Sequence, residues 1–271
     1  MIELLQYDFF SNAILAAILT AVSCGIIGSY IVARRMVFIG GGITHASFGG
    51  IGIAYFLGFA PMLGAGVFAV LSALGINYFT HKGKVREDSS IAIWWSLGMA
   101  IGIIFIALKP GYAPNLMSFL FGSILTVMKI DLLYMLVVSL ITVFVFAVFF
   151  RLITMISFDE EFARARSLPV DFFNYMLIII SALVIVASTR VSGVILVLSL
   201  LTLPQATANI FVQSFRSMMW FSIIIGLIGM ITGLYLSYYT NLPSGATIIV
   251  TLTAFFAFGK LIKTIFSVSN N

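Results

Sequence analysis

Uncharged apolar stretches of about 20 residues, the length at which an α-helix crosses the hydrocarbon core of a bilayer, recur along this 271-residue chain from one end to the other. They leave no room for a separate soluble domain, so residues 1–271 read as one transmembrane unit of all-α, polytopic design. Composition agrees: 62% of the residues are hydrophobic and 8% are charged, with a mean hydropathy of +1.18, whereas a soluble domain carries about a quarter charged residues. The spans read as roughly 11–33, 38–57, 62–80, 91–108, 132–150, 172–189, 193–213, 218–239 and 245–262. Pro204 can break the seventh, so the expectation is eight or nine crossings. Glu3 and Asp8 precede the first span where a signal peptide would be basic, and no small-residue cleavage site follows it, so this run is expected to stay in the mature protein. Cys24 is the only cysteine, which leaves neither an intrachain disulfide nor a thiolate cluster.

The basic residues, whose excess raises the pI to about 9.4, fall into alternate connections. Arg34 and Arg35 follow the first span, Lys82, Lys84 and Arg86 the third, and Arg151, Arg164 and Arg166 the fifth; Arg216, Lys260 and Lys263 complete one side. Only Lys109, Lys129 and Arg190 fall on the other. Because cytoplasmic loops accumulate Lys and Arg, this predicts an N-terminus outside and a C-terminus inside, and it accounts for the bases without nucleic acid. Residues 112–128 (YAPNLMSFLFGSILTVM) are apolar too, but as a full crossing they would invert everything downstream. A re-entrant or interfacial helix on the outer side is expected there.

One span differs from the rest. Residues 36–55, MVFIGGGITHASFGGIGIAY, hold six glycines and a histidine. On a helix, His45 shares a face with Gly41, Gly42, Phe48, Gly49 and Gly52. Small residues let membrane helices approach closely, so one reading is a tightly packed helix whose histidine hydrogen-bonds across an interface. The other makes Gly41, Gly42, Ser47 and Gly49 the lining of a passage and His45 a transient metal ligand, since intramembrane ionisable groups mark pathways and imidazole suits zinc, copper, iron and nickel.

No Asp, Glu, Lys or Arg stands mid-span, which disfavours a proton- or sodium-coupled carrier, because coupling needs a group whose ionisation changes during the cycle. With two histidines, one thiol and no clustered carboxylates there is no catalytic constellation, so the chain is not read as an enzyme. AFFAFGKL at 254–261 is not a P-loop: the first glycine and the hydroxyl after the lysine are missing. This chain is not expected to bind ATP.

The longest polar connection, SFDEEFARARSLPV at 157–170, reads as a short helix. Ser157 or Asp159 caps it, Glu160 and Glu161 occupy the first turn, and Arg164 and Arg166 the last before Pro169. Phe158, Phe162 and Ala165 form an apolar face suited either to the headgroup region or to a groove on a cytoplasmic partner. The pairs Gly98/Gly102 and Gly229/Gly233 match the small-residue packing pattern. His81, beside Lys82 and Lys84, reads as a solvated loop residue.

Three segments in this order, ARRMVFIGGGITHASFGGIG (33–52), FDEEFARARSLP (158–169) and SGVILVLSLLTLPQATA (192–208), resemble membrane permeases of the zinc, manganese and iron ABC importers, and the resemblance covers essentially the whole chain. It implies a type II ABC importer permease fold, like the membrane subunit of the vitamin B12 importer, in the bacterial cytoplasmic membrane. Two copies would enclose a pathway, an extracytoplasmic metal-binding protein would deliver the ion, and a cytoplasmic ATPase would bind ATP. The loop 158–169 (Phe158, Asp159, Glu160, Glu161, Phe162, Ala163, Arg164, Ala165, Arg166, Leu168, Pro169) would dock into a groove on that ATPase, making 157–169 a coupling helix. The expected cargo is a divalent transition metal, zinc first, then manganese or iron, with no cofactor held by the chain itself. The chain departs from the family in two places. Many members carry an Asp four residues before this histidine, where Gly41 stands here, and Gln205 stands where alanine is common. Pro204 and Gln205 are read either as a structural kink or as part of the pathway. The competing function is a stand-alone channel or secondary carrier that needs no ATPase.

Overall fold

A computed structural model describes residues 7–109, 124 and 127–268. Eleven helices are named among them: α1 (Asp8–Ala33), α2 (Val37–Leu57), α3 (Pro61–His81), α4 (Glu87–Leu108), α5 (Lys129–Phe158), α6 (Glu160–Ala165), α7 (Val170–Ser192), α8 (Val194–Leu200), α9 (Leu203–Phe211), α10 (Phe215–Thr240) and α11 (Ser244–Val268). Nine stretches among the described residues are long and apolar enough to cross a membrane, with α8 and α9 together making the seventh. The described residues thus supply nine candidates where eight or nine crossings are expected. The segment 112–128 lies almost wholly outside the described residues.

α1, α2 and α7 form the interior. α3 and α4 pack on α2, α5 lies against α1 and α7, and α10 and α11 close the other flank against α1, α8 and α9. One continuous apolar core runs through the bundle. A smaller one, Ile156, Ala163, Val170 and Phe173, seats α6 at one end. Arg34 and Glu160 meet at the end that carries α6, and Arg190 meets Asp131 at 3.4 Å at the other.

Three local features set this topology. Gly193, at φ +80° and ψ 164°, lets α7 turn directly into α8 without a loop, a conformation open essentially to glycine alone. The seventh span breaks after Leu200, and Thr202 at the break returns its hydroxyl to the Leu198 carbonyl at 2.8 Å while Pro204 stands in the first turn of α9. Proline is tolerated there because the first turn of a helix needs no N–H donor. The third feature is the length of α5, which runs 30 residues rather than the expected 132–150 and is kinked at Phe149 (φ −107°, ψ 18°). Ser157 consequently lies inside α5, bonding the Ile153 carbonyl at 2.6 Å, and is not a cap.

Candidate functional site

The glycines of α2 divide into two kinds. A Cβ on Gly42 would lie 2.5 Å from the Ile91 side chain of α4, and one on Gly49 would lie 2.8 Å from the Gly98 carbonyl. On Gly52 it would meet Gly102 at 2.5 Å, and on Gly50 it would overlap the Gly64 carbonyl of α3. Backbone therefore packs on backbone along these faces, and Gly98 and Gly102 answer from α4 against Ala46 and Phe48. The expected role of Gly98/Gly102 as a packing pair is met, and Gly229/Gly233 does the same against Leu252 and Ile248 of α11, within one chain. Gly41 is different. A Cβ there would meet only the Leu198 side chain, at an ordinary 3.4 Å, so packing does not require glycine at the position where the resembling family carries its acid.

His45 is the one residue of this segment with metal-ligating chemistry. It is half-buried, makes no hydrogen bond among the described residues, and stacks on Trp95 of α4 with ring centroids 4.2 Å apart and planes 5° from parallel. Trp95 is itself exposed. The imidazole thus stands at the surface of the single-chain bundle, not in its interior. Ser47 is buried and donates to the Thr44 carbonyl at 2.6 Å. No group of three or more His, Cys, Asp or Glu side chains comes together among the described residues.

Pro204 and Gln205 are buried inside the chain. Gln205 donates from Nε2 to the Cys24 carbonyl at 2.9 Å and to the Leu200 carbonyl at 3.2 Å, tying the break in the seventh span to α1. Its amide fills the space where a side chain on Gly28 would stand. In this arrangement it serves the freed backbone of the kink.

The polar connection forms the expected short helix, α6. Asp159 is its cap, accepting from the Phe162 N–H at 2.9 Å, with Glu160 and Glu161 in the first turn and Arg164 in the last. Arg166 lies over the Phe162 ring at 4.8 Å. Ala163 is fully buried and Leu168 partly so, whereas Phe158, Phe162, Ala165 and Pro169 are exposed, so an apolar face is presented away from the bundle.

Sequence reading gave no sign of the network that holds α6. Arg34, at the end of α1 and three residues before α2, donates from both terminal nitrogens to Glu160 Oε2 at 3.2 Å and also to the Ile156 carbonyl. Arg164 reaches Glu160 Oε1 at 2.9 Å and Asp171 at 2.6 Å. Burial by itself raises the Glu160 carboxyl's pKa, but the hydrogen bonds from Arg164 and Arg34 outweigh it and hold it below the ordinary glutamate range. Asp171 and Glu160 push the Arg164 guanidinium's pKa upward. Arg34 appears in the sequence as a topology signal only, because nothing local pairs it with a residue 126 positions away.

The ABC 3 transport family model matches residues 6–263. The chain belongs to the ABC 3 transport family. It is 42% identical to the uncharacterized membrane protein slr2045 of Synechocystis sp., over 92% of this chain and 89% of that one. It is 34% identical to the manganese transport system membrane protein MntC of Halalkalibacterium halodurans, over 94% and 87%. Among solved structures, PsaBC from Streptococcus pneumoniae in complex with Fab superposes with a TM-score of 0.84 at 32% identity, covering 95% of this chain and 93% of that one. The all-α polytopic fold of metal ABC importer permeases is therefore the fold of this family member.

Proposed function

We propose that two copies of this chain form the membrane pathway of an ATP-driven importer for a divalent first-row metal ion, with His45 of each copy as a transit ligand. The observation that carries this is the place of His45: half-buried, beside exposed Trp95, at the surface of a helix whose other faces are packed. An ionisable side chain facing lipid is costly. A second copy laid over this face removes it from lipid and sets a second imidazole opposite the first. Gly41 and Ser47, on the same helix, accompany it, while Gly42, Gly49, Pro204 and Gln205 hold the scaffold. Two neutral imidazoles bind weakly enough to release their ion, which a pathway requires.

The coupling element is α6, with the loop 157–169 around it. Exposed Phe158, Phe162 and Ala165 suit a groove on an ATPase that binds the ATP. The Arg34–Glu160 contact joins α6 to the turn that begins α2, so a displacement of α6 reaches the helix bearing His45. The basic end of the bundle faces the cytoplasm of a bacterial cell, which puts the N-terminus outside, the C-terminus inside, and the Asp131–Arg190 end toward an extracytoplasmic metal-binding protein. Replacing Arg164 and Arg166 with Glu is expected to uncouple import from ATP hydrolysis while the protein stays folded, as read by uptake and ATPase rates of the assembled complex.

For the cargo, imidazole without a neighbouring carboxylate favours zinc, since manganese prefers oxygen ligands. Manganese is the second reading, favoured by the 34% identity to a manganese transport protein. The test is total-metal mass spectrometry on host cells with the chain deleted, restored, or restored as His45→Ala, with zinc, manganese and iron each limiting. A selective fall in zinc on deletion supports the proposal and a fall in manganese selects the second reading. No change in any metal, with redundant importers removed, rejects both.

A further inference from the structure

Between α1, α5 and α10 lies a groove of about 920 Å³, open along one side and walled by apolar side chains that include Val22, Ile26, Phe146 and Ile223. Two cations, Arg151 of α5 and Arg216 of α10, also line it, and both are exposed. Neither makes an ion pair among the described residues, and no carboxylate lines the groove. Both line this one groove, and their chain neighbours meet. The preceding residues, Phe150 and Phe215, stack with centroids 5.8 Å apart and planes 21° from parallel, which fixes α5 against the start of α10 at this level. The kink at Phe149 lies directly beside Arg151.

We infer that this groove is a binding site for one anionic membrane phospholipid, its phosphodiester held between Arg151 and Arg216 and an acyl chain laid along the apolar walls. The chemistry divides as such a lipid does. Basic pockets between membrane helices recognise anionic headgroups, and the eight steps along the chain from Arg151 back to Val143 carry the wall about 12 Å along the helix axis, most of one leaflet's hydrocarbon depth. Trp220, exposed one turn after Arg216, has the amphipathic character that sits at headgroup level. A second copy of this chain fits the groove less well. A two-fold axis there would set Arg151 and Arg216 against their own counterparts, four cations with no acid among them. The site is independent of the metal pathway and of which side of the membrane it faces.

The experiment is native mass spectrometry of the full-length chain, purified in detergent, with palmitoyl-oleoyl phosphatidylglycerol, phosphatidylcholine of the same chains, and inorganic phosphate each titrated in. Near an anionic surface each basic residue contributes about a fivefold factor, so a roughly 25-fold preference for one phosphatidylglycerol over phosphatidylcholine is expected. That preference should vanish in Arg151→Gln/Arg216→Gln and survive in Arg151→Lys/Arg216→Lys, which keeps the charge. Ala147→Phe, which fills the groove from its exposed wall and leaves both arginines intact, should also abolish it. Inorganic phosphate should not bind. Equal retention of the two lipids, an undiminished preference in the Gln pair or the Ala147 variant, phosphate binding as tightly as the lipid, or a dimer that excludes lipid and dissociates in the Gln pair would each overturn the inference.

Discussion

α2 and α6 are the two segments that set this chain apart from a plain stack of apolar helices, and they are held by opposite means. α2 is fixed by what it lacks: along most of its length missing side chains let backbone rest on backbone of α3 and α4. α6 has six residues and too few hydrogen bonds to persist alone. It is fixed by charged side chains, the Arg34–Glu160 and Arg164–Glu160–Asp171 contacts, and by one buried methyl group, Ala163. A packed helix of the first kind has no freedom to spare, so its chemistry is confined to the few positions whose neighbours are side chains able to move, such as His45 beside Trp95 and Gly41 beside Leu198. The second kind keeps its apolar face free for something outside the chain.

The sharpest way to break this contrast is inside α2. Gly50→Ala drives a methyl into the Gly64 backbone, which cannot rotate away, and should cost about 3 kcal/mol and most of the folded yield. Gly41→Ala should be neutral or stabilising by up to ~1 kcal/mol through helix propensity. Thermal unfolding followed by size-exclusion fluorescence separates the two, and equal losses would mean that α2 is not divided as described. Next comes Arg34→Gln. It removes a partly buried, charge-assisted contact and should cost about 1–2 kcal/mol, together with the coupling of ATP hydrolysis to uptake. Stability loss with coupling intact would confine Arg34 to a structural role.

A smaller change in stability is expected from His45→Ala, which loses only a ring stack worth about 1 kcal/mol. Metal uptake should nonetheless fall roughly tenfold, the scale of one lost contact of about 1.4 kcal/mol. An unchanged uptake would assign His45 to packing.

The smallest effect is that of pH on α6. The Glu160 carboxyl's pKa is depressed in the folded chain, so its contribution is fully present above the ordinary glutamate value of 4.5 and is lost as pH falls through the lower folded value. Hydrogen exchange of the α6 amides should therefore quicken only below about pH 4.5, and Glu160→Gln should weaken that dependence, leaving the part that Asp171 contributes through Arg164. A loss of protection near neutral pH would point to a different titrating group.

Hydropathy suffices for the number and order of the spans to within one, because burying about 20 apolar residues in lipid is a property of each run alone. The sequence also carried the charge order of α6, since the two glutamates and Arg164 lie within one turn or two of each other, but it left Ser157 and Asp159 as alternative caps, and the extra length of α5 decided for Asp159. Tertiary structure alone decided which glycines are obligatory, because Gly41 and Gly42 are alike in sequence and differ only in what faces them, a movable leucine side chain or the crowded Ile91. It decided, too, that Gln205 satisfies the broken seventh span and that Arg34 meets Glu160 across 126 residues. Contacts of that kind depend on how helices are set beside one another, and hydropathy carries no record of it.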